Sequence, residues 1–245
     1  MHIIMAVSEC AKHAYDGWHE RLSVDSCSDA PWHRLVKRHL HLSRDVNDKR
    51  ILEIGCGRGG FAAWLASQAE RPAQIVAADF SSAAVQKGRT HAERLGLSSI
   101  KWEIGDIQDI SHSDDSFDTV ISCETIEHVR HPAKAVRELA RVLKPGGRLF
   151  LTAPNYLGTL GLYRLYCRVR GRPYTEEGQP INRLTLLPIT RSLVTRSGLK
   201  IETIDAVGHY LPFPGRPPVE LPMCNNPRII MRWLALHSMV VAEKA

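Results

Sequence analysis

The sequence lacks any long apolar run. No stretch approaches the roughly 20 consecutive apolar residues that a membrane-spanning helix requires. The apolar opening at residues 1–7 is too short for the core of a secretory signal, and neither a basic start nor a cleavage-site pattern accompanies it. These absences argue against a helical membrane protein and predict a soluble, cytoplasmic one.

Cysteine is sparse, and no C-x-x-C pair occurs. The wide spacing indicates neither a zinc framework nor a disulfide scaffold, so we expect reduced thiols. Internal repeats and low-complexity segments are missing too, and 245 residues suffice for one large domain with a substantial core. The cysteines are Cys10, Cys27, Cys56, Cys123, Cys167 and Cys224.

Basic residues outnumber acidic ones, which gives a formal net charge of +6 and a pI near 9.1. The charges are scattered, and no RNA- or DNA-binding module accompanies them, so a nucleic-acid partner is not indicated. Arginine is dense at residues 163–174. That segment is either an anion-binding lid or a solvated helix face, and we prefer the second interpretation. The solvated-face interpretation predicts that four apolar residues of the segment pack on the sheet edge: Leu162, Leu165, Tyr166 and Val169.

The most informative segment is a glycine-rich turn at residues 53–60, which follows a short apolar strand and runs into a helix. The alternate glycines Gly55, Gly57 and Gly59 let a ligand approach the backbone, and the start of the helix presents unpaired N–H groups. Glu53 stands two residues before the first glycine. A carboxylate there repels phosphate but suits an ammonium or sulfonium group, and the spacing also departs from the G-x-G-x-x-G of dinucleotide sites.

Three further segments place polar residues directly after apolar strands. Asp79 ends a strand about 20 residues after the glycine turn, where nucleoside-binding α/β folds place an acid for the ribose hydroxyls. Asp106 follows the next apolar run. A fourth strand leads into residues 123–129, and a later helix closes before the strand at 149–152. The order and spacing of these signals predict one ligand-binding domain.

Together these signals resemble the motifs of the class I S-adenosylmethionine-dependent methyltransferases, in particular the small-molecule, ubiquinone-pathway O-methyltransferase-like branch. The resemblance covers roughly residues 50–207 and the last strand. It implies S-adenosylmethionine as the cofactor, with Glu53 at its methionine end, Asp79 at the ribose and Asp106 at the adenine. The cofactor-binding residues that it implies are Glu53, Gly55, Cys56, Gly57, Gly59, Asp79, Phe80, Asp106, Ile107 and Cys123.

The order of elements predicts an α/β fold. The resemblance implies a Rossmann-like, seven-stranded, mostly parallel sheet with helices on both faces and an antiparallel last strand beside the fifth. Residues 1–48 are predicted as an N-terminal helical lid segment, and 49–245 as the cofactor-binding domain. That domain includes a substrate or lid insertion at about 156–184 and a proline-rich loop at 211–227. Strands are expected near 51–54, 75–79, 101–104, 118–122, 148–152, 200–207 and 238–243, and helices near 60–69, 82–95, 132–143 and 188–197.

The segment after the fourth strand supplies the catalytic candidates. His128 is the best candidate for a general base, because an imidazole titrates near neutrality, although a capping or packing role stays open. Glu124, Glu127 and His128 form E-x-x-E-H, which on a helical turn places three side chains on one face and can hold a divalent ion. The same pattern occurs in metal-free members, so we take these three as catalytic candidates and assign no metal.

The sequence therefore predicts a methyltransferase that methylates a small organic acceptor, most readily at a hydroxyl. Acceptor contacts are expected from the N-terminal aromatic residues, Tyr156 and residues 163–174. Two alternatives stay open: a metal-dependent RNA 2′-O-methyltransferase and a catalytically inactive S-adenosylmethionine-binding protein. The identity of the acceptor and the oligomeric state are not readable from the sequence.

Overall fold

The computed structural model describes residues 12–24, 28–171, 183–213, 216–224 and 230–245. The helices are α1 12–20, α2 Pro31–His39, α3 Gly60–Ala66, α4 Ser82–Arg94, α5 Pro132–Val142, α6 Thr159–Val169 and α7 Leu187–Arg196. The strands are β1 Arg50–Ile54, β2 Gln74–Asp79, β3 Ile100–Ile104, β4 Phe117–Cys123, β5 Leu143–Pro154, β6 Leu199–Val207, β7 Tyr210–Phe213, β8 Arg216–Glu220 and β9 His237–Lys244. A π-helical turn at Leu42–Val46 and 3₁₀ turns at Ile126–His128, Pro222–Cys224 and Ile230–Leu234 complete the described elements.

The predicted α/β fold is confirmed. Seven strands form one sheet in the order β3-β2-β1-β4-β5-β9-β6. Strand β9 lies between β5 and β6 and runs antiparallel to both, whereas the other neighbours are parallel. The last strand thus inserts beside the fifth, as the family resemblance implied.

Both faces of the sheet are apolar, because successive side chains of a strand point to opposite sides. On β1, Leu52 joins one core together with Leu139 of α5. Its neighbour Ile51 joins the other core, with Phe61 of α3 and Leu35 of α2. Helices therefore cover both faces of the sheet, and the two cores fix its position between them.

The helices begin where the sequence signals predicted. Ser81 caps α4, its Oγ accepting from the backbone N–H of Ala84 at 3.1 Å. Pro132 opens α5, where the missing N–H of proline costs no helical hydrogen bond. None of the helices in the described ranges has the length and apolarity to cross a membrane. The described cysteines are free thiols, while Cys10 and Cys27 lie outside the described residues.

Two predictions for the connecting segments need correction. The proline-rich segment at 211–227 is not all loop, because β7 and β8 pair there as an antiparallel hairpin. Proline tolerates such a short, isolated pair, which needs few ladder hydrogen bonds. Within the predicted insertion, α6 does not pack its apolar side chains on the sheet edge. Leu162, Leu165 and Val169 are 66%, 58% and 76% exposed, and residues 172–182 lie outside the described residues.

The strand order places a crevice at the carboxyl ends of the parallel strands. Strands β1 and β4 are neighbours, while the chain continues from β1 to β2 on one side and from β4 to β5 on the other. In open α/β sheets such a reversal of strand order separates the flanking loops and leaves room for a ligand. The glycine-rich turn and the loop after β4 lie on either side of this point.

Candidate active site

A cleft of about 890 Å³ opens at this reversal of the strand order. One wall of the cleft comes from the ends of β1, β2 and β3. The other comes from the loop after β4, the end of β5 and the start of β9. Side chains of α1 and α2 also line the cleft. The volume is in the range of ordinary small-molecule sites.

The glycine-rich turn is shaped by close packing on both sides. Gly55, with φ of 76°, and Gly57, with φ of 51°, both line the cleft. A Cβ at Gly55 would collide with the side chain of Thr125 in the loop after β4. Gly59 does not line the cleft: it begins α3 with φ of 71°, and a Cβ there would collide with the ring of Trp102. Gly55 therefore makes room for Thr125 and Gly59 for Trp102, while Gly55 and Gly57 both line the cleft.

Asp79 organises the backbone at the end of β2. Its Oδ2 accepts from the N–H of Gly57 at 2.8 Å, and its Oδ1 accepts from the N–H of Ser81 at 2.9 Å. Burial raises the pKa of the carboxyl, while these two hydrogen bonds oppose the rise. The acid thus joins the glycine turn to the start of α4 and still borders the cleft.

Glu53 is the most unusual acid of the cleft. It is 3% exposed, and no hydrogen bond reaches its Oε2 from the described residues. Burial, with the nearby charge of Asp79 as a second cause, raises its pKa to about 8. A buried acid with one unbonded oxygen beside a cavity is suited to receive a cationic group, which would restore its ionised form.

The side of the cleft predicted to hold the adenine lies after β3. Asp106 and Ile107 line it together with Phe80. Asp106 is held by Gln108, whose backbone N–H donates to Oδ1 at 2.8 Å. The Gln108 side chain also reaches across to the next loop, where its Oε1 accepts from the N–H of His131 at 2.9 Å. Gln108 is a lining residue that the sequence motifs did not reveal.

The loop after β4 differs from the predicted helical turn. Glu124 precedes the 3₁₀ turn and has φ of 47°, a left-handed conformation that is uncommon for a non-glycine residue. Its Oε2 lies 3.0 Å from Nδ1 of His237, and no hydrogen bond from the described residues reaches its Oε1. Glu127 is 1% exposed, with Oε1 3.4 Å from Nε2 of His128. The two acids therefore pair with different histidines.

This pairing corrects the expectation that Glu124, Glu127 and His128 share one helical face. A single turn places residues i, i+3 and i+4 together, whereas the observed 3₁₀ turn contains only Ile126–His128. Within the described parts of the chain, no group of three or more His, Cys, Asp or Glu side chains is placed to hold a metal ion. All three residues do line the cleft.

Helix α1 lies over the glycine turn and is attached to α4 by two sets of contacts, one from Asp16 and one at its C-terminal end. Asp16 accepts from Oγ of Ser81 at 2.6 Å and from the N–H of Ala83 at 3.1 Å. Lys87 donates to the carbonyls of His19, Glu20 and Leu22. These contacts cap the start of α4 and the end of α1.

His19 shows how closely this helix approaches the turn. A Cβ on Gly57 would lie 3.7 Å from Cε1 of His19. Nδ1 of His19 is 3.1 Å from Nη1 of Arg58. Burial, followed by the charge of Arg58, lowers the pKa of His19 to about 4. His19 is therefore neutral near pH 7 and closes the cleft without adding charge.

Comparisons with known proteins agree with this geometry. A family model described as a methyltransferase domain matches residues 52–151. A ubiquinone biosynthesis O-methyltransferase of Alkalilimnicola ehrlichii is 37% identical over 111 residues, which are 45% of this chain and 43% of that protein. A demethylmenaquinone methyltransferase of Clavibacter sepedonicus is 34% identical over 169 residues, 67% of this chain and 64% of that protein.

Residues 52–151 therefore carry a methyltransferase domain. The solved structure of an S-adenosylmethionine-dependent methyltransferase from Mesorhizobium loti has the same fold, with a TM-score of 0.62 at 19% identity over 88% of this chain and 99% of that one. The chain spans 43% and 64% of the length of the two curated relatives above, so the match concerns the methyltransferase domain rather than their whole length.

The cleft of the methyltransferase domain collects nearly all the residues predicted to bind the cofactor. Those that line it are Glu53, Gly55, Cys56, Gly57, Asp79, Phe80, Asp106, Ile107 and Cys123, whereas Gly59 lies behind it. The unbonded oxygen of Glu53 and the exposed backbone at Gly55 and Gly57 fit a ligand that carries an ammonium group. Burial and the neighbouring carboxylates raise the pKa of the Cys123 thiol, so this cysteine is an unreactive wall residue.

The residues that line the acceptor part of the cleft differ in part from those predicted. His237 begins β9 and was missed because no motif marks it. Tyr15, Trp18 and Trp32 belong to the N-terminal aromatic residues expected to contact the acceptor, and all three line the cleft. Tyr156, also expected to contact the acceptor, is only 4% exposed and does not line it. The guanidinium of Arg164 in α6 lies over the ring of Tyr156, 5.1 Å from its centroid, so that tyrosine packs under α6 instead.

Proposed function

We propose that the protein transfers the methyl group of S-adenosylmethionine to a hydroxyl of a small organic acceptor. The observation that carries this proposal is the buried Glu53, which lines the cleft beside the glycine turn and whose Oε2 accepts no hydrogen bond from the described residues. When bound, S-adenosylmethionine supplies an electrophilic methyl group on a sulfonium centre. The chain itself has to hold the two ligands in line, exclude water and accept a proton.

Three acids bind three different parts of the cofactor. Glu53 takes the ammonium group, which explains why a carboxylate is kept at a site that disfavours its charge. Asp79 takes the ribose hydroxyls, since each of its oxygens accepts one backbone N–H and keeps further acceptor capacity. Asp106 takes the adenine amino group. Phe80 and Ile107 supply apolar surface for the ring on the same side.

The acceptor belongs on the opposite wall, at the ends of β4, β5 and β9. Trp32 and the loop after β4 enclose this part of the cleft. Two histidines, His128 and His237, line it, and each pairs with a carboxylate. A hydroxyl acceptor needs a group that takes its proton, and an imidazole can do so near neutral pH. The sequence nominated His128 for this role.

The choice of a small hydroxyl acceptor rests on the site and on one group of relatives. The cleft has a volume of about 890 Å³, which suits a small molecule, and side chains of α1 line it. The protein from A. ehrlichii named above carries out an O-methylation in ubiquinone biosynthesis by its name. The RNA alternative was favoured by the net positive charge and by the E-x-x-E-H triplet, and the second of these is weakened because Glu124 lies outside the 3₁₀ turn and pairs with His237.

The decisive experiment is calorimetric titration of the protein with S-adenosylhomocysteine, followed by a screen with radiolabelled S-adenosylmethionine. We expect micromolar binding, and labelling of at least one member of a panel of catechols, phenols and hydroxy acids. Asp79→Ala should weaken binding at least tenfold, since it removes both the ribose partner and the anchor of the glycine turn. Asp114→Ala, which replaces an exposed acid of the loop before β4, is the matched control.

The outcomes separate the alternatives. Binding without labelling of any small acceptor, but with labelling of RNA, would replace the proposal by the RNA alternative. Binding without turnover on either class would favour a protein that binds the cofactor and does not catalyse. Absence of binding in both the wild type and the control would overturn the cofactor site itself.

A further inference from the structure

We propose that His237, held by Glu124, is the group that takes the proton from the acceptor. This inference rests on the proposed function and names the base within it. Glu124 Oε2 lies 3.0 Å from Nδ1 of His237, although the two residues are 113 positions apart in the sequence. A carboxylate on Nδ1 fixes the proton at that nitrogen and leaves Nε2 as the basic atom.

The backbone shows that Glu124 is held in place for this contact. Its φ of 47° is a strained value for glutamate, and such strain persists only where the surroundings impose it. Here the N–H of Glu124 donates to Thr152 of β5, to Oγ1 at 3.1 Å and to the carbonyl oxygen at 3.2 Å. The strand end and the strained residue together direct the carboxylate across β5 toward β9.

The ring of His237 is equally fixed. His237 is the first residue of β9 and pairs in register with Pro154 of β5 and Val207 of β6. The ring of Trp32 from α2 packs on it at a centroid distance of 5.2 Å. Its side chain is 12% exposed and lines the cleft. A ring with so little freedom can present one nitrogen in a constant direction.

The position of His237 in the sheet matches the acceptor side. The residues predicted to bind the cofactor lie on or directly after β1, β2 and β3, on one side of the reversal of strand order, apart from Cys123 at the end of β4. Strand β9 lies beyond β4 and β5 on the other side. His128 is placed less well, because its Nε2 faces the buried carboxylate of Glu127 at 3.4 Å and its ring meets the edge of Tyr15.

The proposed step moves a proton to His237 and a methyl group to the acceptor. The acceptor hydroxyl gives its proton to Nε2 of His237, and its oxygen uses a lone pair to bond the methyl carbon. The methyl–sulfur bond breaks with its electron pair left on sulfur, which becomes a neutral thioether. Glu124 stabilises the resulting imidazolium and stays ionised. Glu124 is thus a positioning residue and His237 the catalytic one.

Two readouts test the inference independently. The first uses protein labelled with ¹⁵N-histidine in its complex with S-adenosylhomocysteine, with His237→Gln for assignment. We expect His237 to carry its proton on Nδ1, and Glu124→Gln to abolish that preference without changing the affinity for S-adenosylhomocysteine more than twofold. A proton on Nε2, or a tautomer that is unchanged in Glu124→Gln, would overturn the pairing whether or not an acceptor is known.

The second readout is turnover on an acceptor found in the radiolabel screen. His237→Gln should lower kcat by about 10²–10⁴-fold, with unchanged binding of S-adenosylhomocysteine. His128→Gln should lower kcat by about tenfold less than His237→Gln does, and added imidazole should restore part of the activity of His237→Ala. Wild-type turnover in His237→Gln, or a large loss confined to His128→Gln, would refute the assignment. Failure to label any acceptor would instead count against the proposed function, and the histidine spectra would still decide the pairing.

Discussion

Glu53 works against the stability of the protein that contains it. Its carboxyl is almost fully buried, and burial raises its pKa from 4.5 to about 8. Between these two pH values the folded protein holds a proton that the unfolded chain has lost. The free energy of unfolding therefore falls as the pH rises through this window, and the full cost is reached above about pH 8. A residue that is kept at such a cost is a candidate for function.

The first prediction concerns Glu53→Gln without ligand. Because glutamine cannot ionise, the variant should be more stable than the wild type at pH 9, by roughly 2–4 kcal/mol for a shift of this size. The difference should shrink as the pH falls toward 5. The same variant should bind S-adenosylhomocysteine about 10- to 100-fold more weakly at pH 8, since a charge-assisted hydrogen bond is lost. Urea unfolding at both pH values and calorimetric titration measure the two effects.

Glu103→Gln provides a control of the opposite sign. Burial raises the pKa of Glu103, but hydrogen bonds from Lys101 and His112 outweigh it and leave the pKa below its ordinary value. That carboxylate contributes stability above the pKa of the unfolded chain, so its replacement should lower stability at neutral pH and leave cofactor binding unchanged. If Glu53→Gln were the less stable protein at pH 9, the account of Glu53 would be wrong.

At the scale of single elements, α1 depends on α4 for its position over the cleft. Lys87 of α4 donates to three carbonyls at the end of α1, and Asp16 of α1 caps the start of α4. Both contacts satisfy backbone groups that a helix end leaves unpaired. The two helices therefore stabilise each other's ends. Removal of one partner should loosen α1 without unfolding the sheet.

We accordingly predict that Lys87→Met opens the cover of the cleft. The carbonyls of His19, Glu20 and Leu22 would lose their cation, so hydrogen exchange of residues 12–20 should become faster. Dissociation of S-adenosylhomocysteine should also accelerate, by about 5- to 10-fold for the loss of contacts of this kind. Exchange followed by mass spectrometry and stopped-flow fluorescence measure these rates. Lys101→Met, which removes only an exposed ion pair, is the control, and equal exchange in both variants would contradict the prediction.

The elements also show which parts of the fold were open to prediction. Strands and helices from β1 to β5 follow local signals, such as the cap at Ser81 and the proline that opens α5. The hairpin β7–β8 was hidden because its prolines are typical of loops. The exposed apolar face of α6 could not be foreseen either, since periodicity alone does not tell what covers a helix.

At the scale of the whole molecule, the limit of sequence reasoning is distance along the chain. The cofactor side of the cleft is encoded locally, because each acid follows its own strand. The acceptor side depends on the contact of Glu124 with His237, which exists only once β9 has inserted beside β5. The sequence revealed the E-x-x-E-H motif, but it did not reveal the histidine with which Glu124 pairs. Local spacing placed His128 next to Glu124, whereas in the structure Glu124 pairs with His237, 113 positions away.

A second long-range contact lies at the opposite end of the sheet from the cleft. Arg148 of β5 donates to Asp45 in the turn before β1 at 2.6 Å and to Glu202 of β6 at 2.8 Å. Arg148 and Asp45 are both buried, at 6% and 2% exposure. The pair therefore joins the N-terminal segment to two strands of the sheet. Removal of Arg148 leaves Asp45 as a buried charge whose remaining partners are the N–H of His41 at 2.8 Å and the half-exposed Arg44 at 3.9 Å.

The last prediction follows from that arrangement. Arg148→Met should lower the free energy of unfolding by about 3–5 kcal/mol, since Asp45 loses its buried partner. For a protein of this size that corresponds to a decrease in Tm of roughly 6–15 °C. The affinity for S-adenosylhomocysteine at 15 °C should be unchanged, because Arg148 lies beside Thr119 near the amino end of β4, away from the cleft. Arg44→Met, which removes a half-exposed member of the same network, should cost less than about 1 kcal/mol. Calorimetric scans of the three proteins measure the shifts, and equal effects of the two substitutions would show that burial does not set the strength of this network.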